Sequence, residues 1–451
     1  MEKVSNVAEE MNKDHGLCEM LRHGVTAFHV VEYTKKALSD AGFEELSFAE
    51  GWHVKQGGSY VICPFPSMLI AVHVGTVNDR SMVRIATAHT DSPCLKVKFH
   101  AELPGRQYAQ INVEPYGGLL PKTWFDRPLS VAGKLVSKGT DAFHPITRLV
   151  DSKRPICVIP SLAPHLAKGT DAKEWNIQKE MMPIVGLAYE DADQGFLLRY
   201  LCEEFKITEE ELLDYDLYLY NPEQPERVGL HEVMVCAPRI DNLASVSALL
   251  ESMKWTVGKE SSNIMIAAMF DNEEIGSRSK QGADSVMLPQ IIEKLGRSLI
   301  EDVNSDALQE SHLDMDRWKD LVARGFLLSM DGAQGCHPNY SETSDPTNPV
   351  YLGQGIVIKT SASQRYLSDS EASSVIKSLC EERKLPWQQQ VNRSGMPGGQ
   401  TLGPILAAVL PLQGADVGIP MLAMHSAREL AAWKDYRALA ELAEVFFMYE
   451  S

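Results

Sequence analysis

Seven side chains have the types and settings from which a hydrolytic metal centre is built: His89, Asp91, Asp241, Glu273, Glu274, Asp331 and His425. Such a centre needs nitrogen or carboxylate ligands, an acid able to bridge two ions, and a base for water. Zinc accepts imidazole and carboxylate ligands and keeps a position open when it is catalytic. Two ions about 3.5–4 Å apart can hold both the attacking water and the scissile carbonyl. Glu273 and Glu274 are neighbours after an apolar run. One of them can reach a metal while the other takes a proton from water. Water on zinc has a pKa of about 7, which suits a glutamate base at neutral pH. His89 and Asp91 are two residues apart, and a ligating His usually leans on a carboxylate that fixes its tautomer.

Each residue alone has a plainer explanation. A lone His after a strand is more often a surface group than a ligand. Asp241 fits a helix N-cap. Glu273–Glu274 fits a solvated acidic turn, and Asp331 before Gly332 fits a tight one. Cys94 reads as a small apolar residue with no base specified nearby. It is the conjunction that favours a metal site. Competing chemistries lack their signatures: there is no GxSxG, HExxH, GxxxxGK[ST] or GxGxxG.

The elements that must position these groups are legible in the same sequence. Four short apolar runs end in polar groups able to bind metal. VRIATA ends in His89-Thr90-Asp91, IMIAAMF in Asp271-Asn272-Glu273-Glu274, FLLSM in Asp331, and PMLAM in His425. Such runs fit buried strands of a parallel sheet, although pattern alone also allows a buried helix. Parallel strands would bring all four termini to one edge, where open α/β sheets gather functional groups. A helix is expected from APRIDNLASVSALLESMK, with Asp241 or Asn242 capping it or pointing at a metal. The first 50 residues read as helical, with one helix over 25–41 closing near Gly42. Strands are expected across 59–74. Residues 99–235 are rich in Pro and Gly between short β-like runs. They read as an inserted β-rich domain that interrupts a catalytic domain of 1–98 and 236–451.

The chain has 451 residues and a net charge of −18. That length suggests two domains, or one with an insertion. That charge argues against nucleic acid, which calls for a basic face, and against an anionic membrane. No apolar run approaches the roughly 18 residues of a membrane span. No signal peptide is visible. Eight scattered cysteines without a CxxC pair read as reduced thiols, so a cytoplasmic enzyme acting on a small substrate is expected.

HTDSPCLKVK (89–98), PRIDNLAS (238–245), FDNEEIGSRSKQGA (270–283), HPNY (337–340), IKTSASQRY (358–366), GQTLGPILAA (399–408) and MHSARE (424–429) together resemble the aspartyl aminopeptidase family of zinc metallopeptidases. The resemblance implies a three-layer α/β/α catalytic domain with an inserted β-rich dimerisation domain. It implies two Zn2+ per subunit, with Mn2+ or Co2+ able to substitute. Asp241 would bridge the ions. His89 and Asp331 would complete one site, and Glu274 and His425 the other. Glu273 would be the general base, and Asp91 would support His89. His165 would reach a neighbouring subunit's site and stabilise the tetrahedral intermediate. Lys359 and His337 would serve the substrate, Lys359 by facing an acidic side chain. The implied activity removes N-terminal residues, preferably Asp or Glu, from peptides. The implied assembly is homodimers forming a homododecamer. Gln334 replaces a family histidine, and Gly395 and Gly398 stand where Asp and Cys are expected. These departures touch pocket walls and leave open a neutral or basic preference. A di-zinc deacylase and a catalytically silent assembly protein are the alternative readings.

Overall fold

The computed structural model describes residues 15–78, 80–103, 107–166, 175–187, 195–305, 313–396 and 398–450. The chain divides into two compact units. The first comprises 1–91, 225–424 and 429–451, and the second 92–224 and 425–428.

The first unit is built on a nine-stranded sheet. Its strands are β1 (Glu44–Glu45), β2 (Ser59–Phe65), β3 (Met68–Val74), β4 (Val83–His89), β5 (Ile264–Phe270), β6 (Phe326–Met330), β7 (Ile356–Thr360), β8 (Trp387–Val391) and β9 (Gln413–Gly418). Their order is β1-β2-β3-β5-β4-β6-β9-β7-β8. The four central strands β5, β4, β6 and β9 run parallel. Every residue of β3, β4, β5 and β6 is buried, which is why they read as continuous apolar runs rather than alternating ones.

Alternate residues of each strand feed two separate cores. Ala86, Ala88, Met265, Ala267, Leu328 and Met330 pack on one face. There they meet α1 (His15–His23), α2 (Ala27–Asp40) and α3 (Ile240–Thr256). Ile85, Ile264, Ile266, Ala268 and Leu327 pack on the other. They meet α4 (Met287–Ser305), α5 (Met315–Ala323) and, further along the chain, Leu402 and Leu406. The first face is completed by α6 (Ser370–Arg383), while Leu402 and Leu406 belong to α7 (Leu402–Val409). The C-terminal α8 (Trp433–Met448) lies with the first group through Leu439, Leu442 and Phe446. Helices therefore cover both faces, and the unit is a three-layer α/β/α structure.

Two expectations are corrected. The start of the chain is not helical throughout its first 50 residues: Gly42, with φ at 99°, ends α2's run and β1 follows. The PMLAM run is not a fourth strand of the parallel sheet. Its residues Pro420–Leu422 join a separate five-stranded sheet, pairing parallel with Ala333–Gln334 and antiparallel with Glu429–Ala432. The fourth parallel strand is β9, which lies just before it in the chain at Gln413–Gly418. Gly418 explains the exit from the main sheet. A Cβ there would lie 1.6 Å from the Asp331 carbonyl oxygen, so only glycine lets the two chains pass this closely.

The second unit has a seven-stranded sheet. Its Leu212–Tyr220 strand pairs with both Cys94–Glu102 and Pro128–Ser137, so the sheet closes on itself. Leu95, Val97, Ile111, Val131, Leu217 and Leu219 form its core. The Cys94–Glu102 strand spans the 98/99 position at which the insertion was expected to begin.

Candidate active site

Three parallel strands end at the site, as their sequences suggested. His89 is the last residue of β4 and pairs in register with Phe270, the last of β5. Asp331 directly follows β6. The chain turns sharply after β5. Asn272 adopts φ 63°, Glu273–Ile275 form a single 3-10 turn, and Gly276 follows at φ 94°. Asn and Gly are the residues that tolerate this left-handed geometry. The turn's amides meet Asp91. The Glu273 and Glu274 N–H groups donate to the two Asp91 carboxylate oxygens at 3.2 and 3.1 Å.

Asp91 thus does more than the His support expected of it. Its carbonyl accepts from His89 Nδ1 at 3.0 Å, while its carboxylate lies 3.4 Å from the same nitrogen. An Nδ1–H committed to a carbonyl sets the tautomer with Nε2 as the basic nitrogen. His89 Nε2 faces Asp241 Oδ1 at 3.5 Å and Asp331 Oδ1 at 3.4 Å.

Arg239 holds the cap position of α3 in a left-handed conformation, without a capping side chain. Asp241 and Asn242 have non-helical φ/ψ, and the peptide between them is cis. Two groups pin this segment. The Asp241 N–H donates to Glu429 Oε2 at 2.9 Å, and Asn242 Nδ2 donates to the Met330 carbonyl at 2.8 Å. Sequence reasoning gave Glu429 no role and offered Asn242 only as a cap or a group pointing at a metal. Their signal was position alone, since each lies in a segment that carries a ligand candidate.

One ligand atom from each of His89, Asp241 and Asp331 lies within 4.8 Å of the others, and the same holds for His89, Glu273 and Glu274. His89, Asp91, Asp241 and Asp331 are all buried. So much buried carboxylate around one imidazole calls for a positive counter-charge. Imidazole nitrogen and carboxylate oxygen are the donors that zinc takes. The set therefore fits a divalent cation on its own chemistry.

The electrostatics show the same demand. Burial works against a charged His89, but hydrogen bonds to Asp241, Asp331 and Asp91 outweigh it and raise the pKa well above the ordinary imidazole value. Burial pushes the Glu273 carboxyl up to about 8; His89 opposes this, while Asp331, Asp91 and Asp241 add to it. Asp271 is pushed up to about 7 by burial and by Asp91.

Four further residues were expected at the site. Lys359 is buried on β7; its Nζ donates to the Gly332 carbonyl at 2.9 Å and lies 3.6 Å from Asp331 Oδ2. His337 is half-buried, accepts from Asn339 N–H at 3.1 Å and packs on Tyr340 at 5.0 Å. His425 and His165 belong to the second unit. His425 has φ 65°, and its Nδ1 lies 3.1 Å from the Gly118 carbonyl. His165 sits in an exposed turn. No described helix is long and apolar enough to cross a membrane.

The sequence matches the family described as "Aminopeptidase I zinc metalloprotease (M18)" over residues 20–447. A relative from Clostridium novyi (strain NT), named "Probable M18 family aminopeptidase 2", is 38% identical over 425 residues, covering 93% of this chain and 95% of its own. A relative of the same name from Pseudomonas aeruginosa (strain LESB58) is 36% identical over 444 residues, covering 97% and 98%. Among solved structures, one described as the cryo-EM complex of Ape4 and Nbr1 superposes with a TM-score of 0.87 at 30% identity, over 95% of this chain and 84% of its own. An M18-family aminopeptidase from Thermotoga maritima shares the fold at a TM-score of 0.81 and 21% identity, over 100% of this chain and 97% of its own.

Proposed function

The chain belongs to the aminopeptidase I family of zinc metalloproteases, M18, and from that premise we propose how its residues cleave a peptide and which N-termini they prefer. It is a metal-dependent aminopeptidase. In our reading each subunit holds two zinc ions. His89 and Asp331 hold one, Glu274 and His425 the other, and Asp241 serves both. Mn2+ and Co2+ fit the same donors. Bound there, zinc supplies a Lewis acid for the scissile carbonyl and acidity for the attacking water. The observation that carries the reading is the buried convergence of His89, Asp241 and Asp331 within 4.8 Å.

Glu273 takes the proton of the attacking water and returns it to the leaving amine. A carboxyl lifted toward neutrality by burial and by neighbouring acids suits that exchange. Asp91 keeps the base in place by holding the amides of its turn. His165 of a neighbouring subunit donates to the developing oxyanion. That role requires an oligomer, and the motif resemblance supports dimers that build a dodecamer.

The same resemblance supports a preference for Asp or Glu at the substrate N-terminus. In this reading Lys359, whose ammonium stands 3.6 Å from Asp331 Oδ2, brings positive charge toward an acidic side chain, and His337 serves the substrate.

Glu273→Gln should keep its zinc, measured by metal analysis, and lose at least about 10²-fold in kcat. Near-normal turnover would remove Glu273 from the base role. A rate profile over all N-terminal residues, with metal-reconstituted protein, tests the preference. Acidic residues should lead it; a neutral or basic optimum, or faster cleavage of N-acyl amino acids, would overturn it.

A further inference from the structure

Beside the acidic cluster lies a second buried charge group that the hydrolysis does not use. Asp416 lies within β9 and is wholly buried. Register sets it opposite Lys359 of β7. Residues paired across antiparallel strands send their side chains to the same face. Lys359 is itself buried, with 1% of its surface exposed. Its ammonium donates to the Gly332 carbonyl at 2.9 Å and the Asp331 carbonyl at 3.4 Å, and stands 3.6 Å from Asp331 Oδ2. It grips both backbone and side chain of the turn that carries Asp331.

An ammonium buried this deeply is costly without a counter-charge. Asp331 is its ion-pair partner, and Asp416 is the acid set opposite it in register, beyond ion-pair distance, with burial raising its carboxyl against the pull of Lys359. Asp416 Oδ2 accepts from the Leu367 N–H, and the Asp416 N–H donates to Ser368 Oγ at 2.8 Å. Gly403 of α7 closes the other side, so near that an added Cβ would stand 2.8 Å from Asp416 Oδ2. The row Asp416, Lys359, Asp331 alternates in charge and ends at the cation site.

We propose that Asp416 is a positioning residue of the metal centre, acting through Lys359 to hold Asp331 in its zinc-binding orientation. This rests on Asp331 being a zinc ligand. Outer groups that orient metal ligands typically contribute about 10–100-fold to metal affinity.

The test measures zinc affinity of the full chain, stripped of metal, by competition with a chromophoric chelator. The proteins are wild type, D331A, K359M, D416N and the double variant K359M/D416N. K359M and D416N should each weaken zinc binding by about 10–100-fold. The double variant should be no weaker than K359M, because Asp416 acts only through the lysine. Wild-type affinity in K359M or D416N, or additive losses in the double variant, would overturn the relay. Should D416N alone not fold, the double variant decides, since it leaves no unpaired buried charge. A loss there equal to that of K359M supports the relay, and a larger loss or wild-type affinity overturns it. Unchanged affinity in D331A would overturn the ligand assignment as well, whereas loss in D331A beside intact K359M overturns the relay alone.

Discussion

At the residue scale, burial among acids makes Glu273 hold its proton, and the hydrogen bonds of three carboxylates do the same for His89. Burial and the carboxylates of Asp331, Asp91 and Asp241, partly opposed by His89, put Glu273 at about 8. A carboxyl raised in this way makes the metal-free fold most stable while protonated. Its contribution is complete below the ordinary value of 4.5 and is lost as pH rises through about 8. The raised His89 works in the same direction, because its stabilising proton is also lost at high pH. The metal-free protein should therefore melt at a lower temperature at pH 8.5 than at pH 6.5. Zinc should raise the melting temperature more at pH 8.5, because fewer protons then compete with it. Calorimetry at pH 7 in buffers of different ionisation enthalpy should record protons released on zinc binding. Proton uptake, or a zinc-induced shift independent of pH, would contradict this account.

At the element scale, what could be read from the sequence depended on whether a strand advertised itself. β4, β5 and β6 are mainly apolar runs that stop at polar groups, so their ends and the residues on them were legible. β9 was not. Its sequence, QGADVG, carries two glycines and the buried Asp416, which hide a central strand behind a loop-like composition. PMLAM has the right apolar look but pairs in another sheet, and no local pattern encodes that choice. The non-helical turn at Asp241 was equally hidden, because the N-cap reading used the same letters. Gly418 tests how tightly these elements constrain the site. A Cβ at 418 would collide with the Asp331 carbonyl at 1.6 Å, and backbone on both sides resists relief. Gly418→Ala should cost at least about 1–3 kcal/mol, the usual range for overpacking. Because the collision falls on Asp331, it should also weaken zinc binding. Thermal melts with and without zinc separate the two effects. A variant with wild-type stability and zinc affinity would show that the strand exit is not constrained in this way.

At the scale of the whole molecule, the net charge of −18 argues against a nucleic-acid partner and says nothing of the site, where cations would set the local field. What does belong to this scale is His165. It occupies an exposed turn of the second unit, and nothing local marks it as catalytic. Only the motif resemblance gives it a role, and that role lies in another copy of the chain. The consequence is specific. H165A protein should be nearly inactive because every site lacks its oxyanion donor. E273Q protein should be nearly inactive because every site lacks its base. Co-expression of the two creates mixed dimers. In a mixed dimer, the H165A chain keeps its base and receives His165 from the E273Q chain, so one site is complete. The other site lacks both groups. If chains pair at random, half the dimers are mixed and half their sites work, so about a quarter of wild-type activity should return. If His165 instead serves its own chain, no pairing creates a complete site, and the mixture stays at the parents' level. Differentially tagged chains, purified through both tags before assay, should keep about a quarter of wild-type activity, because a dodecamer that carries both tags still averages over its randomly paired dimers. Activity at the parents' level in that doubly tagged material would assign His165 to its own subunit.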